Sequence, residues 1–347
     1  MEILPNYDLT KLNTFGINAK AKFFVEIKEE GELTELFESP IFQKNPKLFL
    51  GGGSNVLLTE DFEGLVILNR VKGTEILEEN TEEVVIRAMG GEIWHDLVNF
   101  VVERDYWGIE NLAYIPGSVG AAPMQNIGAY GAELQNVLEN VEAVEVATGA
   151  KKIFKKEECC FGYRDSAFKQ EFKGKYFILA ITIRLSKTEK KNISYKILKE
   201  YLEKNQIEVR SPKDIADAVT SIRKSKLPDP KVIGNAGSFF KNVFVGKEKL
   251  AALQKQYPEL PYFLEGEKIK IPTAWLIEKC GPASPRHGGA SWKGYREGDI
   301  GVHEKQALVL VNYGGGTGKE IKNLAEQIID SVYSKFGLKL IPEVNVI

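Results

Sequence analysis

Ile115-Pro116-Gly117-Ser118-Val119-Gly120-Ala121-Ala122-Pro123, followed by Asn126-Ile127-Gly128-Ala129-Tyr130-Gly131, is a long stretch, low in charge and dense in small residues. Such a segment can lie against a flat aromatic ligand or a pyrophosphate while its backbone supplies hydrogen bonds. By composition alone it is also compatible with a close-packed buried loop. Upstream, Gly51-Gly52-Gly53-Ser54-Asn55 follows directly on the apolar, strand-like run at 47–50. Consecutive glycines let backbone amides approach a pyrophosphate without Cβ clashes, and Ser54 and Asn55 add side-chain donors. The GxGxxG spacing of a dinucleotide fingerprint fails here and no helix opens at its end. Taken alone, this run reads as a tight turn. Two glycine-rich loops in one domain, neither of Rossmann type, point to a flavin held outside the Rossmann class.

Around these loops the first third alternates short strands with helices. Residues 22–27, 47–50, 65–68 and 84–88 read as strands. A helix is expected over 29–38, with Leu33, Leu36 and Phe37 on one face, and another from Trp94 with Leu97, Val98, Val101 and Val102. Residues 141–147 and 176–185 are the longest β-branched runs, flanking a loop at 159–166. A helix is predicted over 214–224 and ends before Pro228. The chain closes with a strand at 308–313, a helix at 319–336, a stop at Gly337 and a terminal strand at 338–347. The whole is an α+β pattern rather than a clean series of parallel βαβ units.

The 347 residues exceed one ordinary core and suggest two or three domains. A 43% hydrophobic, 27% charged composition is that of a soluble globular protein, and a net charge of -2 advertises neither nucleic acid nor an anionic membrane. The N-terminus has no signal-peptide core, and no run of about 18 apolar residues marks a membrane span. Cys159, Cys160 and Cys280 form no disulfide framework, which fits a reducing, cytoplasmic compartment. His95, His287 and His303 are far apart, so no metal site is expected. A third glycine run, Gly314-Gly315-Gly316-Thr317-Gly318-Lys319, superficially suggests a phosphate loop. Its opening glycine would fall on Tyr313 and its magnesium-binding hydroxyl on Glu320, so it reads as a loop before a helix.

Six motifs then align into a series: Asn13-Thr14-Phe15-Gly16, Gly52-Gly53-Ser54-Asn55, Ile115-Pro116-Gly117-Ser118-Val119-Gly120, Gln125-Asn126-Ile127-Gly128-Ala129-Tyr130-Gly131, Phe161-Gly162-Tyr163-Arg164-Asp165-Ser166 and Gly234-Asn235-Ala236-Gly237-Ser238-Phe239-Phe240-Lys241-Asn242. In this order, and ending with Pro342-Glu343-Val344, they resemble the signature series of UDP-N-acetylenolpyruvoylglucosamine reductases. The resemblance spans nearly the whole chain. It implies an FAD-binding domain of the vanillyl-alcohol-oxidase (PCMH) type in two α+β subdomains, 1–70 and 71–224. A C-terminal α+β substrate-binding domain, 225–347, follows, with a terminal strand that returns Glu343 to the active site. The implied FAD contacts are Gly51, Gly52, Gly53, Ser54, Asn55, Pro116, Gly117, Ser118, Gly120, Asn126, Gly128, Ala129 and Arg223.

The activity implied by the resemblance is NADPH-dependent reduction of UDP-N-acetylglucosamine enolpyruvate to UDP-N-acetylmuramate, in peptidoglycan precursor synthesis, by a cytoplasmic monomer. Hydride adds to the enolpyruvyl β-carbon, so charge builds on the α-carbon beside an existing carboxylate. Without a metal cluster, preorganised donors must stabilise it. Arg164 matches the family's catalytic arginine and can grip a carboxylate bidentately; outside the motif it would read as a surface arginine paired with Asp165. Ser238 matches the residue that protonates the α-carbon, and Glu343 the carboxyl that bonds to the intermediate or steers the proton. Tyr195, Lys226, Asn242 and Gln306 match substrate-holding positions. In the longer form of the family a loop tyrosine covers the substrate; here it is Tyr262, with Tyr257 the neighbouring alternative. The segment 281–301 looks like an insertion of that form. Two rival readings remain: a flavin oxidase of the same fold, and a catalytically dead flavin or nucleotide-sugar module.

Overall fold

The computed structural model describes residues 1–282 and 291–347. His287 and positions 283–290 of the insertion at 281–301 lie outside the described residues. The chain divides into two compact units. The first comprises Met1–Tyr7, Lys20–Gly53 and Phe62–Ser225; the second comprises Asp8–Ala19, Ser54–Asp61 and Lys226–Ile347.

In the first unit one sheet orders its strands Leu4–Asp8, Lys20–Ile27, Phe62–Asn69, Lys47–Leu50. Lys20–Ile27 and Lys47–Leu50 both run parallel to Phe62–Asn69. That central strand is buried from Gly64 to Asn69, as its unbroken Leu65-Val66-Ile67-Leu68 run requires. The helix Glu32–Glu38 begins three residues later than its sequence pattern suggests, but buries the expected Leu33, Leu36 and Phe37. A second sheet is antiparallel, in the order Lys151–Lys155, Leu138–Glu145, Tyr176–Ser186, Glu83–Met89, Thr74–Glu79. Helices Trp94–Val102 and Pro212–Lys226 bury Trp94, Leu97, Val98 and Val101, and Ile215, Ala218, Val219 and Ile222, in one shared core. The helix Lys196–Lys204, which the sequence expectations did not include, buries Leu198 and Leu202, with Ile197 and Tyr201 packed against the same core.

The second unit gathers three separate stretches of chain. Its larger sheet runs Gly234–Asn235, Leu310–Asn312, Ile300–Val302, Arg296–Glu297, and a smaller one Val243–Val245, Lys268–Ile271, Phe263–Glu265. Residues 8–19 belong here because the Asn13-Thr14-Phe15-Gly16 turn is bonded to two adjacent strands of the larger sheet, Gly234–Asn235 and Leu310–Asn312. Asn235 N–H donates to the Thr14 carbonyl at 2.9 Å, and Asn312 Nδ2 donates to the Phe15 carbonyl at 2.9 Å. Residues 54–61 belong here because Val56–Leu57 pairs in parallel with Asn345–Val346. Those two short strands correct the expectation of a continuous terminal strand over 338–347. Only Asn345–Val346 is regular strand; upstream, a single bridge joins Phe240 to Pro342. Pro342 has no N–H to extend a ladder. The helix Gly318–Phe336 ends at a left-handed Gly337, φ 61°, as the sequence predicts, and the Thr317 side chain caps its start.

Candidate functional site

In the first unit the two glycine-rich loops meet. A Cβ on Gly52 would stand 2.7 Å from Gly117 Cα, and one on Gly51 would fall onto Ser118 Oγ, so neither position admits a side chain. Beside them opens a cavity of about 110 Å³, lined by Gly51, Asn69, Ser118, Gly120, Phe172 and Tyr176 among others. Ser118 Oγ is buried and has no hydrogen-bond partner among the described residues. An orphaned hydroxyl beside a glycine cradle is what a phosphate or ribose oxygen would satisfy, and the aromatic wall suits a flat ring. These features fit FAD. Asn69 is a lining residue that the sequence reading missed. Its signal was slight, a polar residue ending an apolar strand.

Further along, the 126–131 segment is pinned from several sides. Asn126 is fully buried; its Nδ2 donates to Glu133 Oε2 at 2.8 Å and to the Gly162 carbonyl at 3.3 Å, and its Oδ1 accepts from Gln135 N–H at 3.0 Å. That amide is thus committed inside the protein, which leaves only the Asn126 backbone for a cofactor. Arg164 tops the tight Gly162–Asp165 hairpin, and its Nη2 donates to the Gly128 carbonyl at 2.5 Å. A Cβ on Gly128 would stand 2.9 Å from Arg164 Nη1, so glycine there lets the guanidinium in. The Asp165 carboxylate, meanwhile, accepts from Gln170 Nε2 and Ser166 N–H.

Arg223, on the helix Pro212–Lys226, donates from Nε to the Tyr114 carbonyl at 3.0 Å. Burial holds its guanidinium below the ordinary arginine value, and the nearby positive charge of Arg164 adds to this, while Tyr130 and Tyr114 oppose it. Two guanidiniums this close favour an anion beside them. The Tyr130 phenol is itself pushed up, chiefly by burial, and its ring meets that of Tyr195 edge-on at 5.5 Å. Tyr114, Asn126, Tyr130 and Arg164 all have left-handed backbones, with φ between 43° and 58°. Each such non-glycine residue costs roughly 1–2 kcal/mol, and this strain is gathered around the two arginines. His95 is explained structurally, as its Nδ1 accepts from Tyr114 N–H at 3.1 Å and burial lowers its pKa.

The second unit assembles its own set. Ser238 follows Gly237, whose φ of 68° closes a turn in which Gly237 N–H donates to Asn235 Oδ1 at 2.9 Å. Phe239 N–H donates to the Leu308 carbonyl and its carbonyl accepts from Glu343 N–H, both at 2.7 Å. Ser238 is therefore clamped between the turn that carries Gln306 and the run that carries Glu343. Glu343 is half-buried. Asn55 joins this set, with Nδ2 donating to the Glu343 carbonyl at 3.3 Å and its own carbonyl accepting from Asn345 N–H at 3.1 Å. Gln306 Oε1 accepts from Leu308 N–H at 3.4 Å, and Asn242 Oδ1 accepts from Thr273 N–H at 3.1 Å. Of the two loop tyrosines, Tyr257 packs on Trp275 and Phe336, whereas Tyr262 is 44% exposed beside the edge strand Phe263–Glu265. Lys226 is half-buried at the end of its helix. Among the described residues no three His, Cys, Asp or Glu side chains gather as a metal site, and no helix is long and apolar enough to cross a membrane.

Comparison with known proteins bears on this arrangement directly. Residues 21–155 match the FAD binding domain family, and residues 229–347 match the family described as UDP-N-acetylenolpyruvoylglucosamine reductase, C-terminal domain. A UDP-N-acetylenolpyruvoylglucosamine reductase of Amoebophilus asiaticus is 45% identical over 100% of both chains, and that of Flavobacterium johnsoniae 44% identical over 100% of both. Among solved structures, the UDP-N-acetylenolpyruvylglucosamine reductase of Thermus caldophilus shares the fold, with a TM-score of 0.63 at 22% identity, covering 99% of this chain and 98% of that one. Identity of this order along the entire length, over a glycine cradle shaped for FAD, means that the chain belongs to the UDP-N-acetylenolpyruvoylglucosamine reductase family.

Proposed function

We propose that the chain reduces UDP-N-acetylglucosamine enolpyruvate to UDP-N-acetylmuramate with NADPH, in the cytoplasm, as a step of peptidoglycan precursor synthesis. The observation that carries this reading is the full-length 45% identity to a named reductase. The free cysteines Cys159, Cys160 and Cys280 support a reducing compartment. Hydride delivery, from NADPH and onward to the enolpyruvyl β-carbon, is the chemistry that FAD supplies when bound.

The chain's own residues manage the charge and the proton. Arg164, a permanent cation fixed on its hairpin, grips the substrate carboxylate and lowers the energy of charge spreading into it from the α-carbon. Ser238 Oγ gives its proton to the α-carbon. A hydroxyl is a poor acid in water, but a strongly basic carbanion beside a turn-fixed hydroxyl reverses that balance. Glu343, tied through its N–H to Phe239, orients this exchange. Lys226 supplies a point charge to the diphosphate, and Tyr195, Asn242 and Gln306 supply neutral donors and acceptors. Tyr262 is the residue we assign to covering the substrate, since Tyr257 is spent in packing.

Anaerobic reduction of the holoenzyme with NADPH, followed by mixing with the enolpyruvyl nucleotide sugar, tests the reading through the flavin absorbance. Rapid reoxidation by that substrate is expected; a flavin that stays reduced until air enters would favour the oxidase instead. In Ser238→Ala, reduction by NADPH should persist while reoxidation slows by about 10²–10⁴-fold, the usual worth of a positioned acid. Equal loss of both half-reactions would remove Ser238 from the proton transfer.

A further inference from the structure

Asn111 takes no part in the roles assigned so far, yet it occupies an unusual place. It is 1% exposed, inside the short 3-10 turn Glu110–Leu112. Its amide nitrogen has two hydrogens, and both are used: Nδ2 donates to the Tyr130 carbonyl at 2.9 Å and to the Asn192 carbonyl at 2.8 Å. Two carbonyl acceptors fix the orientation, because the amide oxygen in that place would face two oxygens. Asn192 returns a bond, Nδ2 to the Gly131 carbonyl at 3.1 Å. The turn is itself anchored by Glu110, buried, whose Oε2 accepts from Gly108 N–H at 2.6 Å.

The two segments joined in this way are the ones that present Tyr130 and Tyr195. Tyr130 has a left-handed backbone at φ 47°, a conformation that surrounding bonds must hold. Tyr195 lies three residues beyond Asn192, 41% exposed, with its ring against that of Tyr130. Asn111 bonds both backbones through one amide, and the Asn192 side chain adds a second link to the Gly131 carbonyl.

We propose that Asn111 is a positioning residue for the nucleotide-sugar substrate, acting through Tyr195 by locking its segment to the strained Tyr130 backbone. This rests on the assignment of Tyr195 to substrate binding made above. Removing the clasp leaves the FAD cradle and Arg164 in place but lets the Tyr195 segment drift. The loss therefore falls on substrate affinity more than on turnover or flavin reduction.

The test is a double-mutant cycle on the holoenzyme, read as KM for the enolpyruvyl nucleotide sugar, kcat, and the rate of flavin reduction by NADPH. Asn111→Ala should raise KM about tenfold, the equivalent of a clasp worth roughly 1.4 kcal/mol, with flavin content and reduction rate within about twofold of the wild type. In a Tyr195→Ala background the same change should add nothing, since residues acting as one unit are not additive. An unchanged KM, additive effects, or equal loss of flavin content and both half-reactions would overturn the proposal. Should Asn111→Ala fail to fold, Asn192→Ala decides by the same cycle: a KM rise that vanishes with Tyr195→Ala supports the clasp, and an additive or absent one overturns it. Tyr195→Ala alone separates the two layers. If it leaves KM unchanged, the Tyr195 assignment fails; if it raises KM and Asn111→Ala does not, only the clasp fails.

Discussion

Gly51-Gly52-Gly53 and Gly314-Gly315-Gly316 are the same three letters, and each comes just after an apolar strand, Lys47–Leu50 in one case and Leu310–Asn312 in the other. Their surroundings make them different objects. In the first run, the backbone of Gly117 and the hydroxyl of Ser118 occupy the places of the absent Cβ atoms. In the second, the neighbours are the side chains of Asp299 and Ile300. Asn312 Oδ1 accepts from Gly314 N–H at 3.0 Å and Gly316 N–H at 2.9 Å, so amides that could have held a phosphate are already spent. A glycine run cradles a ligand when another loop closes on it, and becomes a joint when a side chain takes its amides.

That contrast can be broken experimentally. Gly52→Ala should have the largest effect. Its Cβ meets backbone that cannot rotate away, so we expect FAD affinity to fall by about 10–100-fold, the equivalent of 1–3 kcal/mol of overpacking. The measurement is flavin content per chain after purification and dialysis; full occupancy would dissolve the distinction. Gly318→Ala, at the end of the second run, would press a Cβ onto the Leu58 carbonyl. A loss of about 1–3 kcal/mol in urea unfolding is expected there, with the visible flavin spectrum unchanged. Loss of FAD in that variant would mean that the second run is also a cradle. Thr317→Ala should cost least, about 1 kcal/mol, because it removes only the N-cap of Gly318–Phe336. A normal melting temperature would show that the Glu320 half of the capping box suffices.

Much of this is legible in the sequence. The helix at the C-terminus was readable from its stripe of Ile321, Leu324, Ile328, Val332 and Phe336, and from Gly337, because these signals are local. The Asn312 bonds that disqualify the phosphate loop were not readable, although its faulty spacing was. Asp165 next to Arg164 suggested a surface ion pair; the hairpin instead aims a guanidinium nitrogen at Gly128. Asn126 sits in the right motif, yet its side chain is wholly engaged by Glu133, Gly162 and Gln135, partners set by folding. By sequence Tyr262 was the candidate and Tyr257 its alternative; that Tyr257 packs on Phe336 while Tyr262 is exposed was not readable there.

The sequence by itself determined most of the periodic elements, the Gly337 stop and the ordered motif series, because each depends on neighbours within a few residues or on matching a known pattern. It did not determine why Asn13-Thr14-Phe15-Gly16 matters, which is that its carbonyls bond Asn235 and Asn312 far along the chain. Nor did it reveal the short pairing of Val56–Leu57 with Asn345–Val346, or the two-pronged hold of Asn111 on Tyr130 and Asn192. Those belong to the tertiary structure alone. A hydrogen bond between distant residues depends on directions and distances that only the folded backbone sets, and a side-chain amide carries no local mark of which carbonyls it will meet.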